Sequence, residues 1–326
     1  MPPTPAMRLL SPALAALLLA SACQSRATEN DADPAIEVTS CDRTQILDEP
    51  PERIVSLNTQ VTETLIDLGV DDRIVGIGWE RYDHPEQYTD AYSALNGLAD
   101  THPTLEQILE VEPDLVIGGQ SSSFDPQEGR SREDLESHGI ATYLFAEGCP
   151  DGDLELEEVI ADFERLGTVL GIEDTAEEFA ADMSTDLEAV EDQLAAADVE
   201  PVPTFFYRSG ERTASTNNSD GIRQMIPDLA GTRNVFAELD DRVAEVSWEQ
   251  VGENDPEAIV IFEMGSDDGT IDDKINFLKE QPIAQHTEAV QEERFASVSL
   301  RELYQGPRMV GAAQRLAEDL HPEAFA

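Results

Sequence analysis

The same short unit occurs twice in this chain. Thr104-Leu105-Glu106-Gln107 runs into Glu112-Pro113-Asp114-Leu115-Val116-Ile117, and Ser247-Trp248-Glu249-Gln250 runs into Asp255-Pro256-Glu257-Ala258-Ile259-Val260. In both, seven positions separate the first Glu from the Pro. A hydroxyl residue followed three positions later by Gln is a capping box, which starts a helix. The proline ends that helix early, because its predecessor is pushed out of the α region toward extended backbone. The apolar run that follows reads as a buried strand. A helix–turn–strand unit used twice, far apart, predicts two lobes of similar design with a binding site between them.

The rest of the pattern agrees. Apolar runs at Arg53 to Leu57, Arg73 to Gly78, Asp114 to Gly118 and Ile140 to Phe145 alternate with helical segments such as Thr59 to Leu68 and Arg132 to His138. Alternation of this kind implies parallel sheets covered by helices. The middle of the chain differs. Leu156, Val159, Ile160, Phe163, Leu166 and Leu170 keep helical spacing, and a second helix runs from about Thr175 to Ala197. At 1.5 Å per residue that helix is a rod of roughly 33 Å, enough to cross from one lobe to the other. Strand–helix alternation resumes from Thr204 to Leu320. The expected fold is α/β: two Rossmann-like lobes joined by a single long helix, with a ligand cleft between them.

Twenty basic residues face 69 acidic ones, a net charge of -49. Repulsion from phosphates excludes a nucleic-acid partner. Lys274 and Lys279 are the only lysines, and a lysine-poor acidic surface suits a salty surrounding that screens its self-repulsion. The N-terminus reads as a secretory signal: Arg8, then Leu9-Leu10 and Ala13 to Ala20, then small residues up to Ala22. Cys23 follows directly, which resembles the bacterial lipoprotein signal in which that Cys is lipidated. This divides the chain into a signal (1–22), a lipidated Cys and tether (23–50), a first α/β lobe (51–152), a helical linker (153–200) and a second α/β lobe (201–326). The other two cysteines, Cys41 and Cys149, are expected to form a disulfide in an oxidising compartment.

Taken in order, Arg53-Ile54-Val55-Ser56-Leu57, Thr62-Glu63-Thr64-Leu65-Ile66-Asp67-Leu68-Gly69, Ile74-Val75-Gly76-Ile77-Gly78 and the first repeat unit resemble the substrate-binding proteins of iron-siderophore, haem and cobalamin ABC importers. Gly231-Thr232-Arg233-Asn234-Val235-Phe236 is similar to a later segment of that family, with Thr232 in place of a glycine. The resemblance implies capture of a ligand outside the membrane and its delivery to an ABC permease dimer with its ATPase. It also implies that one surface glutamate per lobe docks on the permease, and Glu106 and Glu249 stand at those positions. A stabilising role at the helix dipole, ~0.3–1 kcal/mol, operates at the same two sites.

Ligand contacts are expected from loops at the strand ends. In the first lobe these are Asn58, Thr59, Trp79, Tyr82, Gln120 and Ser121. In the second they are Tyr207, Arg208, Tyr304 and Arg308, since Arg reads anionic oxygens through a bidentate fork. Met264 is a lesser candidate, and Trp248 is expected to support its helix. The five His residues show no metal-ligand spacing, and no resident cofactor is expected. With haem, Tyr82, Tyr304 or His84 would be the axial ligand. A ferric siderophore needs only aromatic and Arg side chains around an oxygen-rich chelate. No G-x-S-x-G, P-loop or H-E-x-x-H motif is present, so an enzyme is not expected. The remaining readings are cobalamin binding and a surface scaffold without a small ligand. The protein is expected to be a monomer.

Overall fold

Parallel pairing of the apolar runs builds two sheets, each covered by the helices that connect its strands. The computed structural model describes residues 35–78, 84–149, 154–218, 221–265 and 269–326. It opens on an antiparallel hairpin, β1 (Ile36–Ser40) and β2 (Arg43–Leu47). The first lobe then alternates β3 (Ile54–Ser56), α1 (Thr59–Asp67), β4 (Ile74–Gly78), α2 (Thr89–Ala94), β5 (Gly97–Ala99), α3 (Leu105–Glu110), β6 (Leu115–Gly118), α4 (Arg132–Ser137) and β7 (Ala141–Leu144). Its sheet is parallel, in the order β5-β4-β3-β6-β7. Two consecutive helices, α5 (Leu156–Leu170) and α6 (Glu173–Ala196), lead out of it.

The second lobe contains β8 (Val202–Tyr207), β9 (Ala214–Asn217), α7 (Ile222–Leu229), β10 (Thr232–Asn234), β11 (Val243–Val246), α8 (Trp248–Asn254), β12 (Ala258–Glu263), α9 (Ile271–Glu280), α10 (Glu288–Gln291), β13 (Phe295–Ser299) and α11 (Arg308–Leu320). Its main sheet is parallel, in the order β10-β8-β12-β13, while β9 and β11 form a separate antiparallel pair. Chain order reverses between β3 and β6 in one sheet and between β8 and β12 in the other. Crevices open at such switch points, at the carboxyl ends of the strands.

Both repeat units fold alike. Thr104 caps α3 and Ser247 caps α8, each with its Gln closing the capping box. The helices stop before the prolines, but not through an extended residue. Glu112 and Asp255 instead take positive φ, 47° and 39°. A left-handed residue escapes the clash with the proline ring as an extended one does, and it turns the chain more sharply back into the strand.

The long helix α6 has 24 residues and spans about 36 Å. Its buried stripe of Ala176, Ala180, Met183, Leu187, Val190 and Leu194 belongs to one apolar core. That core contains Ile54, Leu115 and Ile117 of the first sheet and Phe206, Val260 and Val298 of the second. The outer faces of the two sheets have their own smaller cores. A Cβ on Gly167 of α5 would sit 2.1 Å from the Ala176 Cβ, so only glycine permits this closeness of α5 and α6.

The hairpin corrects the expectation of a tether through residue 50. Its alternating pattern, with Val38 and Ser40 buried, directs one face onto the edge strand β7. Gln45 donates to the Thr142 carbonyl and accepts from the Thr142 N–H, both at 3.1 Å. The Ser40 hydroxyl does the same for Leu144 at 2.8 and 2.7 Å. Two side chains thus stand in for a sixth strand and satisfy an edge that would otherwise invite pairing with another chain. Cys41 and Cys149 are joined by a disulfide that ties the hairpin turn to the segment after β7. Replacing both cysteines by Ser should lower stability by about 2–4 kcal/mol, because 108 positions separate them and the closed loop is long. Urea unfolding of the oxidised protein and the variant measures this. Equal midpoints would mean that the hairpin's hydrogen bonds hold it without the bridge.

Candidate ligand-binding cleft

Four parallel strands deliver their exits to one place between the lobes. Thr59 and Gln60 follow β3, Gln120 follows β6, Glu263 and Met264 end β12, and Leu300, Arg301 and Tyr304 follow β13. Together they enclose a cavity of about 70 Å³ among the described residues. The first-lobe wall carries amides and a hydroxyl. The second-lobe wall carries a guanidinium, a phenol, a carboxylate and two apolar side chains. The Arg223 guanidinium lies 5.1 Å from the centre of the Tyr304 ring, which places a second cation beside that wall.

The wall is held from behind. Asn58 is buried, and its side-chain Oδ1 accepts from the Gly119 N–H and the Ser123 hydroxyl, each at 2.7 Å. It fixes the loop after β6 against the end of β3. Arg130, 1% exposed, donates to the carbonyls of Ser123 and Ser122 and to that of Pro103. Gln60 donates from Nε2 to Glu147 Oε1 at 2.9 Å, which fixes its amide at the cavity edge. Burial pushes the Glu147 carboxyl up to about 7, against the pull of the Gln60 amide, the Gln305 N–H and the nearby Arg223.

The structure sorts the expected ligand contacts. Thr59, Gln120 and Tyr304 line the cavity. Asn58 does not, because its side chain is spent on bracing. Tyr207 is buried in the second lobe's outer core against Trp248 and Phe277, and its hydroxyl donates to the Gly210 carbonyl. Arg208 bonds Asn217 Oδ1 at 3.0 Å and lies over the Phe262 ring. Ser121 is exposed and is not among the lining residues. Arg308 makes a two-point ion pair with Glu63 across the lobes. Trp79, Tyr82 and Cys23 lie outside the described residues. His84 stacks on Tyr92 at 4.3 Å. Gln60, Glu263, Leu300 and Arg301 were not expected, although the strand-end rule applied to β12 and β13 points to the last three.

Trp248 packs inside and donates its indole N–H to Glu211, so it supports its helix. Glu106 and Glu249 are both exposed, each in the first turn of its capped helix. Glu249 also edges a surface groove of about 440 Å³ that includes Glu253 and Ile283. Among the described residues, no three His, Cys, Asp or Glu side chains are grouped so as to hold a metal ion. No described helix is long and apolar enough to cross a membrane.

Comparisons with known proteins agree with this architecture. The family model described as periplasmic binding protein matches residues 54–299. A vitamin B12-binding protein of Vibrio campbellii is 26% identical over 212 residues, 64% of this chain and 70% of the relative. A periplasmic binding protein of Veillonella parvula superposes with a TM-score of 0.78 at 27% identity, covering 88% of this chain and 98% of that one. An ABC-type Fe3+-hydroxamate transport system structure from Saccharomonospora viridis gives 0.68 at 25% identity, covering 88% and 99%.

Glu147 generates a pH prediction. In the unfolded chain a Glu ionises near its ordinary value of about 4.3, whereas in the fold Glu147 keeps its proton to about 7. The folded state binds the extra proton in that window, so stability falls as pH rises through it and the loss is complete above it. Glu147→Gln cannot ionise. Its stability relative to the parent should therefore rise by roughly 3–4 kcal/mol between about pH 4 and about pH 8. That change with pH is superimposed on a constant loss, because both Glu147 oxygens accept, from Gln60 and the Gln305 N–H, and an amide has only one oxygen. Unfolding midpoints across that range test this, and a difference that does not vary with pH would show that the carboxyl is not held protonated.

Proposed function

This chain belongs to the periplasmic binding protein family, and we propose that its cleft captures a ferric siderophore for an ABC importer. Family members are binding components of transporters, not enzymes, and this chain is a substrate-binding protein of that kind. The ligand is the proposed part. The observation that carries it is the second-lobe wall, where Arg301 and Tyr304 face the amides of Gln60 and Gln120 across the cavity, with Arg223 behind the phenol. Guanidinium, phenol and amide donors match the oxygen-rich periphery of a ferric chelate, whose iron is already saturated. The structural neighbour from an Fe3+-hydroxamate transport system points the same way. Cobalamin is the second reading, favoured by the name of the Vibrio campbellii relative.

Delivery would use Glu106 and Glu249. Each is an exposed carboxylate in the first turn of the capped helix of its repeat unit, one in each lobe. That arrangement suits a two-fold permease with basic pockets. A lipid on Cys23 would keep the protein at the membrane.

Calorimetric titration against ferric hydroxamates, catecholates and citrate, haem and cobalamin tests the ligand. One of the ferric chelates should bind, and Arg301→Ala should weaken it about tenfold or more, the value of one lost charge-assisted contact. Binding of cobalamin or haem alone would overturn the siderophore assignment. Glu106→Arg with Glu249→Arg should stop uptake in cells while leaving the titration unchanged. Continued uptake would remove the docking role.

A further inference from the structure

The two lobes also meet through contacts that do not involve the long helix. The segment from Tyr304 to Arg308, between β13 and α11, lies directly on the first lobe. A Cβ on Gly306 would fall 3.0 Å from the Gln60 Cβ, so the segment sits within van der Waals reach of α1. The contacts on either side of Gly306 are polar and reciprocal. The Gln305 N–H donates to Glu147 Oε2 and the Glu147 N–H donates to Gln305 Oε1, both at 3.1 Å. Each residue's side chain therefore caps the other's backbone, as in a capping box, but across the two lobes. Gln305 Nε2 also donates to Asp162 Oδ2 at 2.7 Å, and Gln305 is fully buried. Three positions on, the Arg308 guanidinium makes its two-point pair with Glu63, which is 1% exposed.

We propose that Glu63, Glu147, Gln305 and Arg308 form a clasp that fixes the separation of the lobes and thereby the width of the cleft. A single helix joining two bodies resists bending but leaves them free to twist about its axis. A second attachment that does not run through α6 removes that freedom. The clasp is adjacent to the cavity on both sides: Glu147 holds Gln60, and Gln305 follows Tyr304 in the chain, and both Gln60 and Tyr304 are wall residues. These four are positioning residues. They act on the ligand through the spacing of Gln60 and Tyr304 and do not line the cavity themselves. The clasp residues lie outside the cavity lining, so the inference stands whether the cleft takes a ferric chelate or cobalamin.

Breaking one member of the pair leaves a buried charge without its counterpart, which is costly for reasons unrelated to lobe spacing. The test therefore neutralises both, as Glu63→Gln with Arg308→Met. Glu110→Cys and Glu280→Cys, on exposed sites of α3 and α9, carry spin labels for distance measurement in the full ligand-free chain. The parent should give one narrow distance distribution. The double replacement should broaden it at least about twofold, as expected when one conformation gives way to an ensemble. Gln305→Ala, which leaves every charge in place, should broaden it as well and decides the matter alone if the first variant does not fold. A distribution that stays as narrow as the parent's in a folded variant would overturn the clasp and leave lobe spacing to the long helix and the shared apolar core.

Discussion

Everything in this molecule hangs on the packing of α5 against α6. The two helices approach closely enough that Gly167 has no room for a side chain beside Ala176. Turned back at Gly171-Ile172, α6 lays its Ala176-to-Leu194 stripe against α5 and against α7 and α11 of the second lobe. The inner faces of both sheets, with the helices between them, then share one apolar core. A hinge that opened the lobes widely would have to split that core. At about 25 cal/mol per Å² of apolar surface re-exposed, splitting it is costly. Small twisting changes are the cheaper motion, and they are what the polar contacts around Gln305 oppose.

Local chemistry made the repeat units legible. A capping box is a contact between residues three apart, so Thr104–Gln107 and Ser247–Gln250 need no tertiary information. The long amphipathic stripe is readable for the same reason. The hairpin over β7 was not, because its partner lies about 100 positions away and its bonds run from side chains to backbone, as with Gln45 and Thr142. The cleft followed the same division. Strand exits bring Thr59, Gln120 and Tyr304 to the cavity, whereas the side chains of Asn58, Tyr207 and Arg308 are engaged in protein contacts instead. A polar side chain at a strand end can brace the site as readily as face a ligand. Asn58 has its two acceptor contacts in neighbouring loops of its own lobe, and Arg308 finds Glu63 245 positions earlier. No local pattern distinguishes these roles.

The charge imbalance gives the few cations particular work. Both lysines are committed: Lys274 is buried and donates to the carbonyls of Arg208 and Phe262, and Lys279 pairs with Glu293. Arg130 and Arg132 are buried and satisfy backbone carbonyls of the first lobe. The carboxylates cover the surface, whereas many of the cations hold the interior together. Arg301, which lines the cavity, and Arg223, over the Tyr304 ring, bring two of the chain's 20 basic residues to the cleft.

The repeat also puts the proposed docking glutamates and the cleft on one frame. In each unit the helix runs back along the lobe and the strand returns, so the helix start lies at the end of the lobe where its strand exits. Glu106 opens α3 and Gln120 leaves β6; Glu249 opens α8 and Glu263 leaves β12. The outward carboxylate and the cleft residue are thus two ends of one short, stiff segment. In the first lobe a buried side chain ties them further, since Arg130 donates to Pro103, next to the Thr104 cap, and to Ser122 and Ser123 of the loop after β6. Force applied to α3 would reach the cleft loop through hydrogen bonds already formed, without any hinge inside the lobe.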